Sequence, residues 1–174
     1  MIELKGFNFK TSINEMTIAE WQLISNIVYS EDDFVEKYIK IFQALGASDD
    51  IIDEMEESDL IAFVDEFSKN TQLSTVKKRG FELDGRTYVA YEGDEYVLKL
   101  KDLSYIEKSC KKEKNFFSLM LAIVFKDTDV INHYSEWEIN RKAELFQHLN
   151  AGEYLNYITF ITEKLAKKLE NMNG

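Results

Sequence analysis

Residues Phe116 to Phe125 are apolar on nearly every side. A helix that is hydrophobic all round has to be buried. Its longest unbroken apolar run, Leu119 to Phe125, has seven residues, and a bilayer span needs about 20. The segment therefore predicts a central helix inside a globular core, and the rest of the chain must supply the walls. There is material for them: 45% of the 174 residues are hydrophobic and 13% aromatic. The 30% charged residues are mixed among the apolar ones, which is a folded and not a disordered profile. The length suits a single compact domain over 1–174, or two similar halves at 1–76 and 77–174. Proline is absent, so no proline linker divides the chain.

The walls read as helices with one small sheet. Ile2 and Leu4 alternate, and the Lys5-Gly6 step shifts the phase to Phe7 and Phe9. That pattern predicts a short N-terminal strand or hairpin with a turn or bulge. Thr17-Ile18-Ala19-Glu20 is a capping box opening a helix to about Val28. A second helix is expected over Asp32 to Leu45, with Phe34, Val35, Tyr38, Ile41, Phe42 and Leu45 on its apolar face. Two shorter helices follow, near Asp50 to Glu56 and Asp59 to Ser68, the latter capped by Ser58. Asp84-Gly85 between Phe81-Glu82-Leu83 and Thr87 to Tyr91 is a hairpin signal. With a turn at Glu92-Gly93-Asp94 and a third strand at Tyr96 to Leu100, it predicts an antiparallel meander. Helices return at Ser104 to Lys112, at Phe116 to Phe125, at Ser135 to Leu149 behind a second capping box ending in Glu138, and at Gly152 to Asn171. The class is α+β, mostly α-helical, with six or seven helices.

The halves echo each other. Met16-Thr17-x-x-Glu20 parallels Leu103-Ser104-x-x-Glu107. Leu60, Ile61, Phe63, Val64 and Phe67 match Tyr154, Leu155, Tyr157, Ile158 and Ile161 at an offset of 94 residues. Duplication and shared helix physics both explain this.

Charge and motif content narrow the function. The net charge is −11, and nucleic-acid binders need clustered Lys and Arg to displace counterions. No nucleic-acid or membrane partner is expected, and a charged partner should be basic. Cys110 is the only cysteine, which leaves no intramolecular disulfide or Cys-rich zinc site; it reads as a helix residue beside four lysines. His133 and His148 show no metal-binding spacing. There is no phosphate loop or dinucleotide fingerprint, and the start of the chain has no apolar h-region. No cofactor, metal or catalytic residue is expected. Asp49 to Glu66 holds nine acids and no base. It lacks the order of a calcium loop and reads as a solvated face or a docking face for a basic partner. Residues 1–80 carry 16 acids against 8 bases. Tyr88, Tyr91 and Tyr96, on the expected meander, are the candidate protein-binding residues, since tyrosine buries area and keeps a polar handle.

A short strand, Met16-Thr17-x-x-Glu20, an apolar helix, a strand segment and the helix around Leu119 to Phe125 follow in order. Then come Ser135-Glu136-x-Glu138, Arg141 to Phe146, and an aromatic helix from Glu153-Tyr154-Leu155. This order resembles small proteins encoded among the tail and virion genes of tailed bacteriophages, some of them tail-assembly-chaperone-like. The resemblance implies a non-enzymatic virion assembly or structural protein, with other phage structural or tail proteins as partners. It implies the host cytoplasm during assembly, with the virion as a further location. It carries over no site residues and does not separate a temporary chaperone from a permanent component. The alternative is an acidic regulatory protein docking a basic partner. The sequence leaves the oligomeric state open.

Overall fold

The computed structural model describes residues 1–70, 80–90, 99–109, 115–159 and 163. The fold is α+β and mostly helical, with two small antiparallel sheets among the described residues. The chain forms two compact units. One comprises Met1–Ser74 with Asn150–Gly152, the other Thr75–Leu149 with Glu153–Gly174.

The first unit opens with a hairpin rather than a single strand. β1 (Ile2–Leu4) pairs with β2 (Phe7–Phe9), placing Ile2 opposite Phe9 and Leu4 opposite Phe7. Lys5 and Gly6 both take positive φ, the conformation that two-residue hairpin turns demand. A 3-10 turn, Ile13–Glu15, leads to α1 (Ile18–Val28). Its capping box forms as expected: the Thr17 N–H donates to Glu20 Oε2 at 2.8 Å and the Glu20 N–H to Thr17 Oγ1 at 3.2 Å. α2 (Phe34–Ala44), α3 (Asp49–Asp53) and α4 (Glu57–Lys69) complete the unit. Its core is an aromatic triangle of Phe9, Phe42 and Phe63, with ring centroids 4.9 to 5.9 Å apart. Residues 150–152 join this unit from far along the chain. The Ala151 N–H donates to the Met16 carbonyl at 2.8 Å and Asn150 Nδ2 to the Asn14 carbonyl at 2.6 Å. A Cβ at Gly152 would collide with Asn14, so the strap requires glycine there.

The second unit repeats the opening. β3 (Gly80–Leu83) pairs with β4 (Arg86–Val89) across Asp84 and Gly85, again both at positive φ. Aligned on the turn, Ile2-Glu-Leu-Lys-Gly-Phe-Asn-Phe9 and Phe81-Glu-Leu-Asp-Gly-Arg-Thr-Tyr88 share Glu, Leu and Gly at the same places. The closing aromatics, Phe9 and Tyr88, are both fully buried. α5 (Leu100–Ser109), α6 (Phe116–Val124), α7 (Glu136–Phe146) and a helical stretch at 151–159 follow. Among the described residues, each unit thus runs through a hairpin and then four α-helical stretches. α6 is buried from Ser118 to Val124, as an all-round apolar helix requires.

Several sequence expectations need correction. Among the described residues the third strand of the sheet is β5 (Lys126–Asp127), which pairs with β4 from beyond α6, while residues 96–98 of the expected strand lie outside them. Leu100, assigned to that strand, is the first residue of α5. The Lys99 N–H donates to Asp102 Oδ2 at 2.9 Å, so Asp102 serves the helix start, and Ser104 and Glu107 lie inside the helix. α4 starts before Ser58: Asp59 Oδ2 accepts the Glu56 N–H at 2.9 Å. In α7, Ser135 Oγ accepts the Glu138 N–H, but the Glu138 carboxylate turns to Arg141. Tyr91, the Glu92-Gly93-Asp94 turn, Tyr96, Cys110, and the last helix beyond 159 apart from residue 163 lie outside the described residues.

Candidate functional site

The apolar stripe of α2 is longer than the core it serves. Ile41 and Phe42 are buried, while Phe34 and Val35 in the first turn are 59% and 56% exposed. On α4, Phe63 points into the aromatic core and Ile61, two residues earlier, is 54% exposed. These surplus side chains face one groove of about 550 Å³ between α2 and α4. α2 contributes Phe34, Val35, Tyr38 and Ile39, with Phe42 at the same wall. Leu60, Ile61 and Val64 come from α4, and Ile52 and Met55 close the α3 end. Phe34 and Tyr38 hold each other, ring centroids 4.9 Å apart. Burial pushes the Tyr38 phenol above its usual range, so it stays a neutral hydrogen-bonding group at the margin.

The groove rim is acidic. Glu56, Glu57 and Asp65 line it. Glu56 lies 3.8 Å from Lys5, whereas Glu57 and Asp65 have no salt-bridge partner among the described residues. The acid-rich segment Asp49 to Glu66 is therefore α3 and most of α4, and it is both a solvated face and the border of an apolar trough. Contiguous exposed apolar surface rimmed by polar groups marks an interaction site. The arrangement can bury apolar side chains and attract cations. Its polar lining is Tyr38 and the carboxylates of Glu56, Glu57 and Asp65. Sequence reasoning placed Phe34 and Val35 on the apolar face of their helix and Ile61 among the apolar positions of the next, without separating the exposed ends of those stripes from the buried ones. The available signal was the mismatch between two long apolar stripes and the five-residue α3 between them.

The second unit holds a charged cluster, which is bonded to itself. Asp127 is fully buried and accepts from Arg86 Nη1 at 2.8 Å and Arg141 Nη2 at 3.0 Å. Burial alone would raise its carboxyl, but the bonds from Arg86 and from the Asp129 N–H outweigh that and hold it below its usual range. Arg141 also grips Glu138 through Nε at 2.9 Å and Nη2 at 2.7 Å. Lys142 Nζ, with no exposure, donates to the Phe125 carbonyl at 2.9 Å, and burial pulls its ammonium down to about 8. Lys126 donates to Asp102, to the Ile123 carbonyl and to Tyr134 Oη. Tyr134 in turn donates to Asp102 Oδ1 at 2.6 Å. A lysine with a lowered pKa is a familiar base or nucleophile, but Lys142 has no route to a substrate. The cluster fixes where α6 ends, how β5 meets β4, and the seat of α7.

Tyr88, a candidate docking residue, is 0% exposed. Its ring stacks on Phe81 at 5.3 Å and meets Phe146 at 5.1 Å, and its hydroxyl accepts from Arg141 Nη1 at 3.3 Å. It faces the helices because side chains alternate along β4, and it is not a surface anchor. Tyr91 and Tyr96 lie outside the described residues. No His, Cys, Asp or Glu side chains among the described residues group as metal ligands. No helix among them is long and apolar enough to cross a membrane. No family model, curated protein or solved structure matches the chain.

Proposed function

We propose that the protein is a non-enzymatic binding protein of bacteriophage virion assembly, which holds a partner protein through the apolar groove between α2 and α4. The observation that carries this reading is the exposure of Phe34, Val35 and Ile61 around one trough. Exposed aliphatic and aromatic side chains are costly unless a partner covers them. The virion part of the proposal rests on the sequence resemblance described above. A second reading, an acidic regulator of a basic protein, draws on the rim acids Glu57 and Asp65.

Val35→Gln and Ile61→Gln test the docking role. Both side chains are exposed, so the substitutions leave the core intact. Tagged wild-type chain is expected to retain its partner from infected lysate, and the doubly substituted chain is expected to lose it. Equal capture by both would overturn the proposal. Salt separates the two readings. Binding dominated by apolar contact persists at high ionic strength, whereas binding dominated by the acidic rim weakens steeply. Purified particles that contain the protein would identify a permanent component, and particles without it a chaperone.

A further inference from the structure

The two units order their elements alike, and the difference between them defines the shape of what the groove receives. α2 and α6 begin alike: Phe34 and Val35 stand where Phe116 and Phe117 stand, and Ile41 and Phe42 where Ile123 and Val124 stand. The next helix differs. α7 has 11 residues and packs along α6. It buries Ile139, Ala143 and Phe146. α3, in the same place in the order, has five residues, none of them buried. At 1.5 Å per residue, α3 falls short of α7 by about 9 Å of helix. α2 leaves Phe34 and Val35 exposed, and the short α3 that follows it buries no side chain of its own.

We infer that the groove between α2 and α4 takes an amphipathic α-helix from a partner protein, with apolar side chains three and four residues apart and Lys or Arg beside them. This rests on the docking reading above and adds the form and charge of the occupant. Helix-in-groove recognition uses anchors at i, i+3 or i+4, and i+7, the spacing by which α7 presents Ile139, Ala143 and Phe146. The charge follows from the rim, where Glu57 and Asp65 have no salt-bridge partner among the described residues. Met55 at one end supplies an adaptable wall.

The test uses the full chain and three fluorescein-labelled peptides of about 16 residues, long enough for a helix to form on docking. The first holds only Leu and Lys, with leucines spaced three and four apart. The second has the same composition with leucines alternating, and the third replaces every Lys of the first by Glu. By fluorescence anisotropy, the first is expected to bind at least about tenfold more tightly than either control, with a gain in helical circular dichroism. Val35→Gln and Ile61→Gln are each expected to weaken it several-fold. Leu23→Gln, on exposed surface of α1 outside the groove, should leave it unchanged. Equal binding of the alternating peptide, or equal loss with Leu23→Gln, would overturn the inference. So would a wild-type dimer in sedimentation that Val35→Gln dissociates, since a second copy would then occupy the groove. If the groove variants lose the native partner while helical spacing confers no advantage, docking stands and the helix falls. If they keep the native partner, the docking reading itself falls.

Discussion

Phe63→Ala should remove a large part of the stability of the first unit. Phe63 is fully buried and touches four rings: Phe42 at 4.9 Å, Phe67 at 5.5 Å, Phe9 at 5.9 Å and Tyr38 at 6.2 Å. Truncating a buried Phe to Ala costs about 3–5 kcal/mol, and the ring partners place this site at the upper end. A unit of this size has only about 4–11 kcal/mol of stability in total. With an m-value of about 1.5 kcal/mol/M, the urea midpoint should fall by about 2–3 M. Trp21 is the reporter, because it stacks on Phe67 at 6.4 Å and Phe67 stacks on Phe63. Trp137, in the second unit, is 70% exposed, so Trp137→Phe silences it at little cost. Urea titrations of Trp21 fluorescence in that background give the difference directly. Phe63→Leu should cost about 1–2 kcal/mol, since most of the volume remains. A loss below about 1 kcal/mol for the alanine variant would mean that the rings do not form a packed core.

Leu119→Ala in α6 should cost about 2–5 kcal/mol by chemical denaturation, and a loss below about 0.5 kcal/mol would show the helix to be exposed. Arg141→Met leaves Asp127 and Glu138 buried without their shared cation, and the same assay should read a loss of about 3–5 kcal/mol. Lys142 titrates near 8 in the folded chain, below its ordinary 10.5, because of burial. Between those values the unfolded chain holds the extra proton, so this group makes stability rise with pH by up to about 1.4 kcal/mol per unit. Lys142→Met should flatten that rise relative to wild type while leaving the slope below pH 7 unchanged, and parallel curves from pH 7 to 10 would refute the assignment.

What the sequence disclosed followed from local physics. Thr17 and Glu20 satisfy each other's backbone within four residues, so the start of α1 was legible in the spacing alone. The same holds for Asp84-Gly85, where only a tight turn suits the pair, and for the burial of Leu119 to Phe125. Distant partners decided the rest. β5 is two residues long, and it becomes a strand because Asp127 is held by Arg86 and Arg141, 41 and 14 residues away. Ser104 has the right neighbours for a cap, but the helix starts earlier, where Asp102 accepts the Lys99 N–H. The groove was hidden for a related reason. The stripe of α2 marks which side chains are apolar, and whether another helix covers them depends on the length of α3. Tyr88 was a sound interface residue by type, and only the pairing of β4 shows which way it faces.

The strap at residues 150–152 gives the first unit an unusual birth order. Its hairpin and four helices are all synthesised by residue 70, yet the Met16 carbonyl and the Asn14 carbonyl wait for Ala151 and Asn150. At ordinary translation rates that wait lasts about 4–16 s on the ribosome. A unit whose hairpin and helices are complete by residue 70 is thus closed only when residues 150–152 arrive. During that interval the nascent chain carries an open backbone edge beside α1, where other nascent chains or helper proteins meet it first.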